Sequence, residues 1–458
     1  MKTSAALALF GVCSLAASAG SAGAAPSVRS SADGPDVIVG SIDGVATFGA
    51  VTAGEATVMA YAFGSTECNV GTLPYAENGS TNQHAVIAQN LYRIKDGVLE
   101  QIGMSWVKHT VCALQGSLCG ACQPVGSGCA SGVGVGCSSP TSSSSSGTQQ
   151  QLGPRSQVNP STGAFAFPLV DLPPVAATVG RRCQVNAVDL DPALNAGASY
   201  LAECLYIQPQ DALAGNGSNN ASCRGVSVGP IGTGGARVLV LTGPTLQQQC
   251  AVHAWQAAEP GVAVTEVHAA DGLIVVGQRV TARGAGLWHY EYAIFNMNSD
   301  AGVGSVSVPV PAGVTVTAQQ FRDVHAHSGE PYATADWAMQ VAAGQATWAT
   351  EPFADNPNAN ALRWGVLYNF RFDANAPPTS GSLALGAFKT AESLRVAALV
   401  PGVHETSADL NNDGFVNGAD LGMLLSAWGD CTGCAADLSG DGQVSGEDLG
   451  ALLAAWSV

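Results

Sequence analysis

Apolar and polar residues alternate with period two through most of residues 35–390. The clearest run is 288–295. Trp288, Tyr290, Tyr292 and Ile294 share one face, and His289, Glu291 and Ala293 take the other, the spacing of a β-strand. Residues 303–311 alternate again and stop at proline, and 362–372 and 383–388 add two more runs. Upstream, 36–40 and 56–63 read as strands, and 90–103 reads as a hairpin turning at Asp96-Gly97. Short strands separated by Gly, Pro and Asn predict a mainly β chain whose body is an antiparallel β-sandwich of one or two domains. The pattern divides near Cys250 into a cysteine-containing β-rich domain (34–250) and a sandwich (251–390), followed by a linker (391–405). Residues 138–151, rich in Ser and Gln, read as a flexible loop.

At 406–458 the period changes. Leu421, Leu424, Leu425 and Trp428 fall at i, i+3, i+4, i+7, and Leu449, Leu452, Leu453 and Trp456 repeat the same residues 28 positions on. Each stripe predicts a short helix that packs on its twin. Before each helix lies a twelve-residue loop with oxygen-bearing side chains at positions 1, 3, 5, 9 and 12 and glycine at position 6, the ligand pattern of a calcium loop. In the first loop the side-chain ligands are Asp409, Asn411, Asp413, Asn417 and Asp420, with the Phe415 carbonyl. In the second they are Asp437, Ser439, Asp441, Ser445 and Asp448, with the Gln443 carbonyl. Two Ca²⁺ ions are expected. The first loop should bind more tightly, because the second has Ser at positions 3 and 9.

These repeats resemble a type I dockerin, a small all-α calcium-binding module. The resemblance covers 406–458 and includes the loop glycines, the apolar position 8 (Val416, Val444) and the duplication. It implies folding on calcium and docking to a cohesin-like domain or another cell-surface component. Such modules often read their partner through a Ser/Thr pair at loop positions 10 and 11, where this chain has Gly418-Ala419 and Gly446-Glu447. The body resembles secreted bacterial proteins that end in such repeats, a likeness that brings no activity with it.

Cysteine and charge extend this picture. Lys2 followed by an apolar stretch over residues 5–17 reads as a signal peptide (1–24), which would remove Cys13. The remaining cysteines fall into even groups, as expected of an oxidised, exported chain: 68, 112, 119, 122, 129, 137; then 183, 204, 223, 250; then 431, 434. Of the net charge of −17, nine negative charges and no Lys or Arg lie in the last 58 residues. A chain this acidic, with no basic cluster, is not built for nucleic acid, and no later stretch is apolar enough for a membrane span.

Other candidate sites are weaker. Cys119 and Cys122 with Cys112, Cys129 and Cys137 suit zinc by spacing, but export favours disulfides. Asp323, His325 and His327 with Glu330 could face a metal, although a plain surface segment explains them as well. Trp288, Tyr290 and Tyr292 could stack on sugar, although such stripes more often form core. No G-x-S-x-G or H-E-x-x-H motif occurs, and none of the body's 25 acidic residues stands out as half of a catalytic pair. The leading reading is a secreted, non-catalytic structural or binding protein with a calcium-dependent assembly module. The alternatives are a polysaccharide-degrading hydrolase and a carbohydrate-binding module, either of which would add polysaccharide as a partner.

Overall fold

The computed structural model describes residues 33–170, 172–284, 286–402, 408–411, 413, 415–431 and 434–457. The expected signal peptide lies outside them. The chain is mainly β, and every paired strand among the described residues is antiparallel.

The first sheet has 11 strands. Its main path uses β1 (Val37–Ala53), β2 (Ala56–Asn69), β3 (Val86–Lys95), β4 (Val98–Met104), β5 (Cys183–Asn186), β6 (Ser199–Ile207), β7 (Ala221–Ile231) and β8 (Arg237–Leu246), in the order β1-β2-β5-β4-β3-β6-β7-β8. The hairpin at Asp96-Gly97 joins β3 to β4, with both turn residues at positive φ, as a two-residue turn of this hand requires. Three register shifts along β1 add coil to the sheet. Its two edges meet: Ala50 N donates to Gly234 O (2.9 Å), and Ile42 N donates to Thr245 Oγ1 (2.9 Å). The rolled sheet encloses Val39, Tyr61, Phe63 and Tyr206.

After helix α1 (Ala251–Ala258) come β9 (Ala263–Ala269), β10 (Gly272–Gly284), β11 (Leu287–Asn296), β12 (Val303–Pro309), β13 (Val316–Arg322), β14 (Ala338–Ala342), β15 (Gln345–Ala349), β16 (Val366–Ala374), β17 (Pro378–Ala387) and β18 (Ser393–Pro401). They form two five-stranded sheets, ordered β9-β10-β11-β16-β13 and β14-β15-β12-β17-β18. One core, with Tyr290, Tyr292, Trp348, Phe370 and Phe372, lies between these two sheets. Another, with Tyr92, Trp255, Phe295 and Trp364, lies between the first of them and the rolled sheet. Strand β11 is therefore covered on both sides, and its apparently polar face is buried too.

Polar side chains join the rolled sheet to its neighbour. Glu100 on β4 reaches Arg93 (2.6 Å), Arg371 on β16 (3.0 Å) and Arg322 on β13 (3.4 Å). Arg155 is 3% exposed and donates to Ser105 O (2.8 Å), Gly365 O (2.8 Å), Gln89 O (3.0 Å) and Asn90 Oδ1 (2.9 Å). Its donors thus hold β3, the end of β4 and the start of β16 together.

Two expectations are corrected. The linker proposed for 391–405 contains β18, which pairs along β17 and buries Val396, Ala398 and Val400. Its inward alternation needed a partner strand to become visible. The segment 138–151 is not a free loop. Ser138–Thr141 pairs with β2, Ser142 caps the helical turn Ser143–Ser146, and Gln149 Nε2 donates to Ala176 O (2.9 Å) and Gly180 O (2.8 Å). Here tertiary hydrogen bonds override a composition that favours solvent.

Candidate metal centre

The C-terminal repeats form helices α2 (Gly418–Ser426) and α3 (Gly446–Ala454). Both start in the same way. Asn417 and Ser445 cap them, and Asp420 and Asp448 complete capping boxes three residues in. Asp420 Oδ1 accepts from Leu410 N (2.8 Å) and Asn411 N (3.2 Å), and Oδ2 from Asn417 N (2.9 Å). Asp448 repeats this with Ser439 N (2.7 Å) and Ser445 N (2.7 Å). Each buried carboxylate therefore ties the start of its loop to the start of its helix. Amide donation, led by Asn417, holds the Asp420 carboxyl below the ordinary aspartate range. At Asp448 desolvation acts in the opposite direction, but amides from Ser445 and Ser439 outweigh it and the pKa is again lowered.

The other ligand positions recur too. Asp409 Oδ1 accepts from Asp413 N (3.1 Å), as Asp437 Oδ1 does from Asp441 N (3.2 Å). Asp413 Oδ1 accepts from Phe415 N (2.9 Å), as Asp441 Oδ1 does from Gln443 N (2.8 Å). Asn411 lies beside Asp413, its Nδ2 donating to Oδ2 (3.0 Å), and Ser439 Oγ lies 3.4 Å from Asp437 Oδ1. Asn417 and Ser445 accept from Ala419 N (2.8 Å) and Glu447 N (3.2 Å), so both are occupied as caps. Gly442, at loop position 6, has φ +87, a conformation that side chains disfavour.

In the second loop Asp437, Asp441 and Asp448 bring carboxylate oxygens within 4.8 Å of one another. Ligands on opposite sides of one Ca²⁺ stand roughly 5 Å apart, since each bond is about 2.4 Å. Three hard anionic donors at that spacing fit such a cation. The loops are also braced against each other's helices. Gly429, just past α2, pairs with Val444, and Ser457, just past α3, donates its N to Val416 O (3.0 Å). Both members of each pair shift by 28 residues from one repeat to the other, so the module has an internal twofold relation.

The expected stripe packing holds only in half. Leu424 and Leu452 are buried together, with Leu421 and Leu449 beside them. Leu425 and Leu453 are each 51% exposed, Trp428 is 51% exposed and Trp456 is 39% exposed. Both helices end before their tryptophan, which therefore leaves the stripe. The sequence period could not show where each helix stops.

Elsewhere the weaker candidates resolve into structure. The first group of six cysteines pairs as Cys68–Cys119, Cys112–Cys129 and Cys122–Cys137, so it holds no zinc. Cys431 and Cys434 also pair, whereas Cys183, Cys204, Cys223 and Cys250 are buried thiols. The proposed metal set around His325 is corrected. Both ring nitrogens of His327 are taken, by Met104 O (2.7 Å) and Ser328 Oγ (2.8 Å), and Glu330 accepts from Arg155 N (2.6 Å) and Ser156 N (3.3 Å). Tyr290 and Tyr292 are core, their hydroxyls donating to Ala376 O (2.8 Å) and Leu399 O (2.7 Å), while Trp288 is half-buried.

No protein-family model matches the chain, and no curated protein is similar to it. Among solved structures, a serine-rich repeat adhesion glycoprotein from Streptococcus agalactiae aligns with 80% of this chain and 98% of its own, at 7% identity and a TM-score of 0.20. A likeness that weak bears on neither fold nor function.

Proposed function

We propose that the C-terminal repeats bind two Ca²⁺ ions and act as a dockerin-like docking module for a cohesin-like domain or another surface component. They would be carried by an exported, non-catalytic body whose paired five-stranded sheets form a β-sandwich. The observation that carries the metal reading is the convergence of Asp437, Asp441 and Asp448, repeated in outline by the first loop. Four disulfides support export, and no helix among the described residues is long and apolar enough to cross a membrane. The docking reading rests on Leu425, Trp428, Leu453 and Trp456, which expose matched apolar surface from both repeats.

Titration calorimetry of the full chain with calcium chloride should show two sites, and Asp441→Ala should leave one. Absence of heat in the unaltered chain would remove the metal reading. For docking, the double variant Trp428→Ala, Trp456→Ala should keep both ion sites and lose roughly 1 kcal/mol of stability or less, because these side chains stand in solvent. It should also fail to retain a purified cohesin-like domain in calcium. Equal retention by variant and unaltered chain would show that the tryptophans are not the docking surface.

A further inference from the structure

Four thiols lie buried in the body, and one of them differs from the rest. Cys250 is the N-cap residue of α1 and is 2% exposed, yet its sulfur makes no capping bond. It lies 3.3 Å from Nδ1 of His253, one helical turn on. The other nitrogen of that ring, Nε2, lies 3.4 Å from Glu266 Oε1 on β9. The side chains of His253 and Glu266 are progressively more exposed, so the relay runs from the buried sulfur towards water. The first amide of α1 is already bonded to Glu203 Oε2 (2.8 Å), so the imidazole, and not the helix end, is the partner of the thiol. Burial alone would lower the His253 pKa, but bonds to Cys250 and Glu266 carry it up to about 10, which keeps a proton on the ring at neutral pH. Burial pushes Cys183 up to about 12 and raises Cys204 and Cys223 as well.

We infer that Cys250, His253 and Glu266 form a peroxide-reactive thiol site at the start of α1. The Cys250 sulfur, its proton passed to the His253 ring 3.3 Å away, attacks one oxygen of a hydroperoxide, and the O–O bond breaks. With hydrogen peroxide that oxygen stays on sulfur with its hydrogen, as sulfenic acid. The other leaves as hydroxide and takes the proton held on His253, giving water. Sulfur is oxidised and the peroxide is reduced, with no further reactant. Glu266 is a positioning residue that orients the ring.

The test uses the full chain with its disulfides intact. Hydrogen peroxide is added, sulfenic acid is trapped with dimedone, and labelling is mapped to each cysteine by mass spectrometry. Cys250 should be labelled at least about ten-fold faster than Cys183, Cys204 or Cys223, and His253→Gln should lower its rate by about ten-fold. Labelling of all four at one rate, a Cys250 rate that His253→Gln leaves unchanged, or a Cys250 already in a disulfide in untreated protein would each overturn the assignment. If His253→Gln does not fold, comparison of the four thiols in the unaltered chain still decides.

Discussion

Arg155→Met is expected to destabilise the body by about 4 kcal/mol, read as a lowered urea midpoint with an unchanged slope. The methionine occupies much the same volume, so the loss comes from hydrogen bonding. Ser105 O and the side-chain oxygen of Asn90 would lose this donor where water cannot replace it, while Gly365 O and Gln89 O would keep only their bonds from Asn90 Nδ2 (2.9 Å) and Ser105 N (2.9 Å). Arg155→Lys should recover only part, since an ammonium offers three donors from one atom and cannot span these four acceptors. Desolvation pulls the pKa of the Arg155 guanidinium down to about 10, opposed in part by the nearby Glu330 and Glu203 carboxylates. The charge is tolerated because carbonyl dipoles from three segments face it. A variant that lost less than about 1 kcal/mol would show that solvent reaches these carbonyls.

Glu100→Gln is the second large effect, expected at roughly 3 kcal/mol, because it removes the anion that Arg93, Arg322 and Arg371 share and leaves three guanidinium groups only Asp189 and Glu291. The same residue gives the fold an acid dependence. Desolvation would raise the Glu100 pKa, but Arg322, Arg371 and Arg93 outweigh it and hold it below the ordinary glutamate value. A group whose pKa falls on folding stabilises the native state in full above its unfolded pKa, and loses that contribution as pH drops through the folded value. Stability measured against pH should therefore show the unaltered chain and Glu100→Gln far apart at pH 7 and converging below about pH 4. Parallel curves would exclude Glu100 as the source of the acid sensitivity.

Local chemistry in the sequence foretold local structure well. The Asp96-Gly97 turn, the alternation over 288–295 and the twin acidic loops each depend on residues close in sequence, and each stands where the pattern put it. What depended on distant partners was hidden. Glu291 sat on the polar face of its strand, and its burial depends on distant partners, Arg371 (2.7 Å) and Asn369 Nδ2 (2.7 Å). The strand in 393–401 required β17 beside it. His325 and His327 looked equivalent by spacing, but a carbonyl from residue 104 claims one of them. In the repeats the paired acidic loops and their helices were legible, whereas the exposure of Trp428 and Trp456 depended on a helix stop that apolar spacing does not encode. Cys250 and His253 were one turn apart in plain view, but Glu266 completes the relay only through the fold.

The double cover over β11 has a consequence for how the body comes apart. Amide protons of Tyr290 to Phe295 bond to strands on both flanks and lie beneath packed side chains above and below. No partial fraying of one layer exposes them, so deuterium should enter there only when the whole assembly opens. The exchange rate of that single segment is then a direct gauge of global opening, obtained without denaturant.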